Sequence, residues 1–426
     1  MKNLIEELRW RGLIQDIMPG TEEQLSKEMT SAYIGFDPTA DSLHIGSLVP
    51  IILLVHLQRT GHKPIALVGG ATGMIGDPSG KNSERTLLSE DTLLKNQEAV
   101  HIQLSRFLNF DNTLPNAAEM VNNYEWFKDM SFLTFIREVG KHITVNYMMA
   151  KDSVKKRIEG DSGISFTEFT YQLIQGYDYY WLYKYKNCKL QMGGSDQWGN
   201  ITTGTEMIRR MSGGEAFAFT CPLLTKADGG KFGKTEQGNI WLDKNRTTAY
   251  QFFQFWYNAA DTDAEKWIKI FTFLEKEIID ELIQLHNKDA SKRILQRRLA
   301  EEITAFVHGQ DGLLEALDTT TKLFSQEQKT IHEMSLRDIE EMQGVSRFEF
   351  SKEQIEAGMD IVSFLAASSI FPSKSEARKM VINGGISINR TKADLQLPID
   401  AKLLLHNRFI LVQKGKKNYY LVEMKS

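Results

Sequence analysis

Hydrophobic and polar positions change their rhythm twice along the chain. From Ser31 to Met211, short β-branched and aromatic runs alternate with longer stretches at helical spacing. Ser31 to Phe36 is a strand by this pattern, and Leu48 to Leu57 is an apolar run that fits a buried helix closed by Gly61. Lys63 to Val68 and Cys188 to Met192 are two further short apolar strands, and each runs into a glycine-rich turn. Asp91 to Phe110, Ser165 to Tyr185 and Asn200 to Met211 predict helices, while Phe127 to Arg157 mixes helical patterns with turns. Strand, helix and strand in succession make a parallel βαβ unit. Its repetition predicts a doubly wound sheet whose ligands sit beyond the carboxyl ends of the strands.

From Thr247 to about Gly344 the apolar spacing becomes long and helical, as in Ile278, Ile279, Leu282, Ile283 and Leu285, with few glycines. Ser325 to Glu356 is charged and irregular and reads as connecting chain. Beyond it come a helix, a turn at Pro372-Ser373, a second helix, then Asn383-Gly384-Gly385 and a strand. A chain of 426 residues exceeds what one core usually accommodates. The expected organisation is an α/β catalytic domain at 1–246, an α-helical domain at 247–344, a linker at 345–356 and a small α+β domain at 357–426.

Charge sharpens that division. Residues 351–426 hold 12 Lys and Arg against 7 Asp and Glu, whereas residues 1–350 hold 39 against 48. A basic tail on an acidic body points either to a polyanionic partner or to ordinary solvated lysines. Cys188 and Cys221 are the only cysteines, too far apart for a C-x-x-C motif, which suits a reducing compartment. The N-terminal residues lack the apolar centre of a signal peptide, and no apolar run approaches the roughly 20 residues of a membrane helix. The expectation is a soluble, cytoplasmic protein.

Candidate chemistry concentrates in the loops. Asp37, Thr39 and His44 lie between the first strand and its helix, and Gly46-Ser47 opens that helix. Backbone N–H groups, a positive dipole end and an imidazole at one spot suit a polyphosphate. Lys81 and Arg85 stand at i, i+4, either aimed together at the glycine-rich loops or solvated beside Glu84. Tyr171, Gln175 and Asp178 project from one helical face, which on spacing alone is an ordinary half-exposed face. Asp196 follows Gly193-Gly194 at a strand-to-helix turn, where it is either an N-cap or a partner for a ribose hydroxyl. Thr225 to Asn239 is polar and glycine-rich, bears Lys226, Lys231 and Lys234, and predicts a mobile surface loop outside any packed core.

Together these residues resemble the class I aminoacyl-tRNA synthetases. His44-Ile45-Gly46 is similar to their first signature, Lys231-Phe232-Gly233-Lys234-Thr235 to the second, and G-G-S-D-Q-W-G-N at Gly193 to Asn200 brings the match close to the bacterial tyrosyl-tRNA synthetases over nearly the whole chain. Two distant, independently uncommon motifs agreeing makes the pairing specific.

The resemblance implies a Rossmann-like catalytic domain, a helical domain beneath the anticodon stem and an S4-like RNA-binding tail. It also implies the substrates L-tyrosine, ATP with Mg²⁺, and tRNA(Tyr), no protein-bound metal, and a homodimer formed through the catalytic domain. On the same ground Tyr171, Gln175 and Asp77 would hold the α-ammonium of tyrosine, and Tyr33 and Asp178 its phenolic hydroxyl. Gln191 and Gln197 would lie near the bound amino acid. Asp196 would meet the ATP ribose, with Asp37, Gly46, Ser47 and Lys234 also on the nucleotide. Thr39, His44, Lys81, Arg85, Lys231 and Lys234 would neutralise the leaving pyrophosphate, and Lys374, Arg378 and Lys379 would grip RNA phosphates.

The signature departs from the family at Ser47, where a second histidine is usual. Serine caps helices well and exchanges hydrogen bonds but carries no positive charge, which favours a ribose contact over a phosphate contact. Phe232-Gly233 stands where many class I enzymes have Met-Ser. Two other classes fit parts of the pattern: a nucleotidyltransferase acting on another carboxylate, and an RNA-binding factor descended from a synthetase. The first leaves Tyr33 and Asp178 without purpose, and the second does not need the lysine loop.

Overall fold

The computed structural model describes residues 3–77, 79, 88–159, 163–230, 232–235, 238–324, 335–340, 342, 345–415 and 418–425. The chain forms two compact units, Met1–Arg246 with Trp256–Val307, and Thr247–Phe255 with His308–Ser426. The helical domain expected at 247–344 is therefore divided between them, and its long helix Ile294–Phe324 leaves helical geometry at Gly309, with φ 75° and ψ 177°.

The first unit is built on five strands: β1 (Ser31–Phe36), β2 (Lys63–Val68), β3 (Glu119–Asn122), β4 (Cys188–Gly194) and β5 (Phe217–Cys221). Their order is β3-β2-β1-β4-β5 and every neighbouring pair is parallel. The near-continuous apolar sequences of β2 and β5 follow from burial on both faces, as a parallel sheet covered by helices requires. Helix Leu48–Arg59, which connects β1 to β2, is buried on nearly all sides from Leu48 to Leu57. The chain reverses its winding between β1 and β4, so the carboxyl ends of those strands open a crevice.

Helix Phe166–Lys186 starts in a capping box, Ser165 with Glu168, and ends at Asn187 in the left-handed conformation. A buried, bidentate Arg157–Glu168 pair with bonds of 2.8 and 2.7 Å fixes the same start. This helix packs closely on Trp198–Ser212 because Gly204 has no side chain: a Cβ there would stand 2.9 Å from the Tyr179 ring. At the N-terminus, Asn3 caps helix Leu4–Arg11, and buried Arg11 donates to the carbonyls of Lys269, Thr272 and Leu274, each at 2.7 Å.

In the second unit a five-stranded sheet runs Thr391–Lys392, Ile386–Ile388, Phe409–Lys414, Asn418–Lys425, Ser346–Ser351. The last two pair in parallel, in register from Tyr420 with Ser346 to Lys425 with Ser351. Residues 345–356, expected as a linker, are thus an edge strand followed by helix Lys352–Glu356. Helices Ile361–Ala367 and Lys374–Ile382 pack their apolar sides, including Phe364, Leu365, Ala377 and Val381, on Ile386, Ile388, Ile410 and Val422 of this sheet. The expected helix, turn, helix and strand are all present, and the architecture is α/β with a small α+β second sheet. Among the described residues no helix is long and apolar enough to cross a membrane.

Candidate active site

At the crevice between β1 and β4 lies a cavity of about 690 Å³, within the usual range for a small-molecule site. Its wall includes Tyr33, Asp37, Thr39, His44, Gly46, Ser47, Asp77, Tyr171, Gln175, Asp178, Gln191, Asp196 and Gln197. Candidates from four separate stretches of sequence meet in one place.

Tyr33 comes from β1 and Asp178 from the middle of helix Phe166–Lys186; both are essentially inaccessible, at 1% and 2% exposure. The Tyr33 hydroxyl has no hydrogen-bond partner among the described residues, and neither does the side-chain oxygen of buried Gln191. Such buried polar atoms are costly unless a ligand meets them. Asp178 is held on both oxygens. Trp126 Nε1 donates to Oδ1 at 2.9 Å and Asn123 Nδ2 to Oδ2 at 3.0 Å. Burial, opposed by those two bonds, pushes its carboxyl up to about 8. The Tyr33 phenol is pushed well above its ordinary value by burial and by Asp178.

A second acidic group lies nearby in the chain's folding. Asp37, expected with the nucleotide, accepts from the Tyr171 hydroxyl at 3.0 Å and the Thr72 hydroxyl at 2.8 Å. Asp77 accepts from Gln197 Nε2 at 2.6 Å and from the Ser79 amide at 2.9 Å. Asn200 donates to Gln175 at 3.0 Å and to Gln197 at 3.3 Å, tying the two glutamines together. Asp196 is raised, first by burial and then by Asp77. Three carboxylates and a tyrosine hydroxyl around one cavity suit a small cation such as an ammonium.

The first signature and the segment after the second are joined by backbone. Leu242 donates to the Leu43 carbonyl at 2.8 Å and Ile45 to the Ile240 carbonyl at 2.9 Å, with His44 opposite Trp241 between them. His44 Nδ1 accepts the Gly46 amide at 3.0 Å, so the neutral imidazole carries its proton on Nε2. A Cβ at Gly46 would stand 2.7 Å from the imidazole, so glycine lets the ring lie where it does. His44 caps the short turn Ile45–Ser47, and Ser47 precedes helix Leu48–Arg59 in helical conformation with no side-chain cap bond.

The segment of the lysine loop also carries an aromatic contact. Phe232 stacks on Phe271 at 5.2 Å and meets Trp267 at 5.1 Å and Trp256 at 5.9 Å. Lys234–Thr235 pairs with Gly238–Asn239 as a short hairpin. Within this polar, glycine-rich sequence Phe232 is thus a packed aromatic anchor. Lys81, Arg85 and Lys231 lie outside the described residues, and Lys234 is described in its backbone alone. Lys374, Arg378 and Lys379 are in the second unit, exposed along one helix.

Asn123, Trp126, Thr72 and Asn200 were not among the sequence candidates. Asn123 bridges three elements, since its oxygen takes the Ala71 amide at 2.7 Å while its amide reaches Thr72 and Asp178. Among the described residues no three His, Cys, Asp or Glu side chains could together hold a metal ion.

The model for class I tRNA synthetases (W and Y) matches residues 25–325, and that for the SYY-like C-terminal domain of tyrosine–tRNA ligases matches residues 338–422. A tyrosine–tRNA ligase of Flavobacterium johnsoniae is 60% identical over 432 residues, covering 100% of both chains. One from Porphyromonas gingivalis is 59% identical over 428 residues, covering 99% of each. The crystal structure of a C-terminally truncated mitochondrial tyrosyl-tRNA synthetase from Aspergillus nidulans matches with a TM-score of 0.68 at 30% identity, over 76% of this chain and 95% of that one.

Proposed function

Because the chain belongs to the class I tRNA synthetases of the tryptophan and tyrosine type and is a tyrosine–tRNA ligase, we propose that the β1/β4 cavity holds tyrosine and ATP together and reads tyrosine by its hydroxyl. The observation that carries this reading is the buried Tyr33 hydroxyl without a partner among the described residues, lining the same cavity as Asp178. Tyr33 can donate to a phenol and Asp178 can accept from it, and phenylalanine would leave the buried Tyr33 hydroxyl unpaired. The ammonium end falls to Asp77, Tyr171 and Gln175, with Asp37 holding the Tyr171 hydroxyl.

The chemistry needs alignment and charge more than acid or base. The tyrosine carboxylate is ionised at neutral pH. One of its oxygens bonds to the α-phosphorus of ATP as the bond to the bridging oxygen of pyrophosphate breaks, and the electron pair leaves with that oxygen. Thr39 and His44 line the cavity, and in this reading the Thr39 hydroxyl and the His44 Nε2–H meet the leaving oxygens. The lysines of the second signature, with Lys81 and Arg85, supply positive charge, and Asp196, Gly46 and Ser47 take the nucleoside. Mg²⁺ arriving with the triphosphate would neutralise part of its charge. The tyrosyl group then passes from the adenylate to the terminal ribose of tRNA(Tyr), held in part by Lys374, Arg378 and Lys379.

A homodimer is part of this proposal, supported by Phe132, Leu133 and Val145 of the first unit, which are exposed at 63%, 78% and 62%. Two free, buried thiols, Cys188 and Cys221, support a cytoplasmic site of action. Single-turnover kinetics test the site reading. His44→Asn and Lys234→Ala should slow adenylate formation at unchanged tyrosine affinity, whereas Asp77→Asn should weaken tyrosine binding; the reverse pattern defeats the assignment.

A further inference from the structure

His44 is exposed at the cavity, and its bond from the Gly46 amide sets the tautomer of the imidazole. The opposing strand supplies a neighbour. The bonds from Ile45 to Ile240 and from Leu242 to Leu43 bracket His44 and Trp241 as a non-hydrogen-bonded antiparallel pair, the arrangement that brings facing side chains closest. The two rings meet edge to face, 6.3 Å between centroids and 68° between planes. Trp241 is fixed in turn on its own side. The Arg246 guanidinium lies 3.6 Å from the centroid of the indole, and Arg246 forms an ion pair with Asp41, three residues before His44.

We propose that Trp241 is a positioning residue for the activation step: the Asp41–Arg246–Trp241 stack fixes the plane of the His44 imidazole so that Nε2–H faces the departing pyrophosphate. The inference rests on the reading of His44 given above. An indole held between a cation and an imidazole edge has an electron-rich face for the first and little freedom to tilt away from the second. The stack also explains why the segment after the lysine loop returns to the first signature.

A double-mutant cycle read by single-turnover adenylate formation tests this. Trp241→Ala should slow the step about tenfold, the scale of a misoriented catalytic group, with the tyrosine dissociation constant within roughly twofold of wild type. Trp241→Phe, which keeps an aromatic edge, should recover most of the rate. Arg246→Gln leaves the indole in place without its cation and should show a smaller loss. In the His44→Asn background neither Trp241→Ala nor Arg246→Gln should slow the step further. The same fold-loss in both backgrounds, or a loss of tyrosine affinity in step with rate, overturns the proposal. A His44→Asn rate equal to wild type removes the role of His44, and the inference with it.

Discussion

Asn123 donates its amide to Asp178 across 3.0 Å while its oxygen accepts the Ala71 amide at 2.7 Å, so the carboxyl that faces the cavity is tethered to the turn after β2. Asn123 is fully buried and has no other orientation that satisfies both groups. The carboxyl proposed to read the phenol is therefore aimed by a residue that need not contact tyrosine itself.

Asn123→Ala removes that tether and leaves a buried acceptor and a buried N–H unpaired. Tyrosine binding should weaken by about 1–3 kcal/mol, with ATP affinity nearly unchanged. Titration calorimetry with each ligand separates the two, and equal losses for both would count against the tether.

Asp178 also makes a pH prediction. Its folded carboxyl titrates near 8, far above the ordinary aspartate value, so the folded chain retains a proton that the unfolded chain has released. Stability of the ligand-free protein from this group is full below about pH 4 and is lost progressively as pH rises towards 8. Asp178→Asn removes the titration. The difference in stability between variant and wild type should shift in the variant's favour from pH 5 to pH 8, and a gap independent of pH in denaturant titrations would contradict the assignment.

The parallel sheet and most of this cavity are legible from sequence because their signals are local. β1, β2 and helix Leu48–Arg59 announce themselves in contiguous apolar runs, and His44, Asp178 and Asp196 sit in motifs or on periodic faces. Asn123 and Trp126 carry no such signal. Their meaning arises only when they meet Asp178, 55 and 52 residues away. Ser346–Ser351 looks like connecting chain because Arg347 and Glu349 alternate with Phe348 and Phe350, yet that period of two is what an edge strand with one solvated face shows. Phe232 is hidden by the glycines and lysines around it, since its aromatic partners come from two helices further along the chain.

Gly46→Ala forces a methyl group into the space of the His44 ring. Either the ring or the backbone of the signature must shift, so adenylate formation should slow at least tenfold while tyrosine binding holds. Stopped-flow measurement of both quantities on one preparation checks this, and an unaltered rate would remove the close approach as a functional constraint.

Lys374, Arg378 and Lys379 lie exposed on one helix of the second unit. If they neutralise phosphates, replacing all three with alanine should reduce the slope of log binding constant against log salt for tRNA by up to about 3, without altering ATP–pyrophosphate exchange. An unchanged salt slope would assign RNA binding to other residues.

The central claim is that this cavity selects tyrosine through its hydroxyl, and ATP–pyrophosphate exchange with tyrosine and with phenylalanine, in wild type, Tyr33→Phe and Asp178→Ala, tests it most directly. Wild type should exchange with tyrosine and strongly reject phenylalanine, and each substitution should narrow the gap by lowering kcat/KM for tyrosine far more than for phenylalanine. A gap that survives both substitutions undiminished would mean that the hydroxyl is read elsewhere.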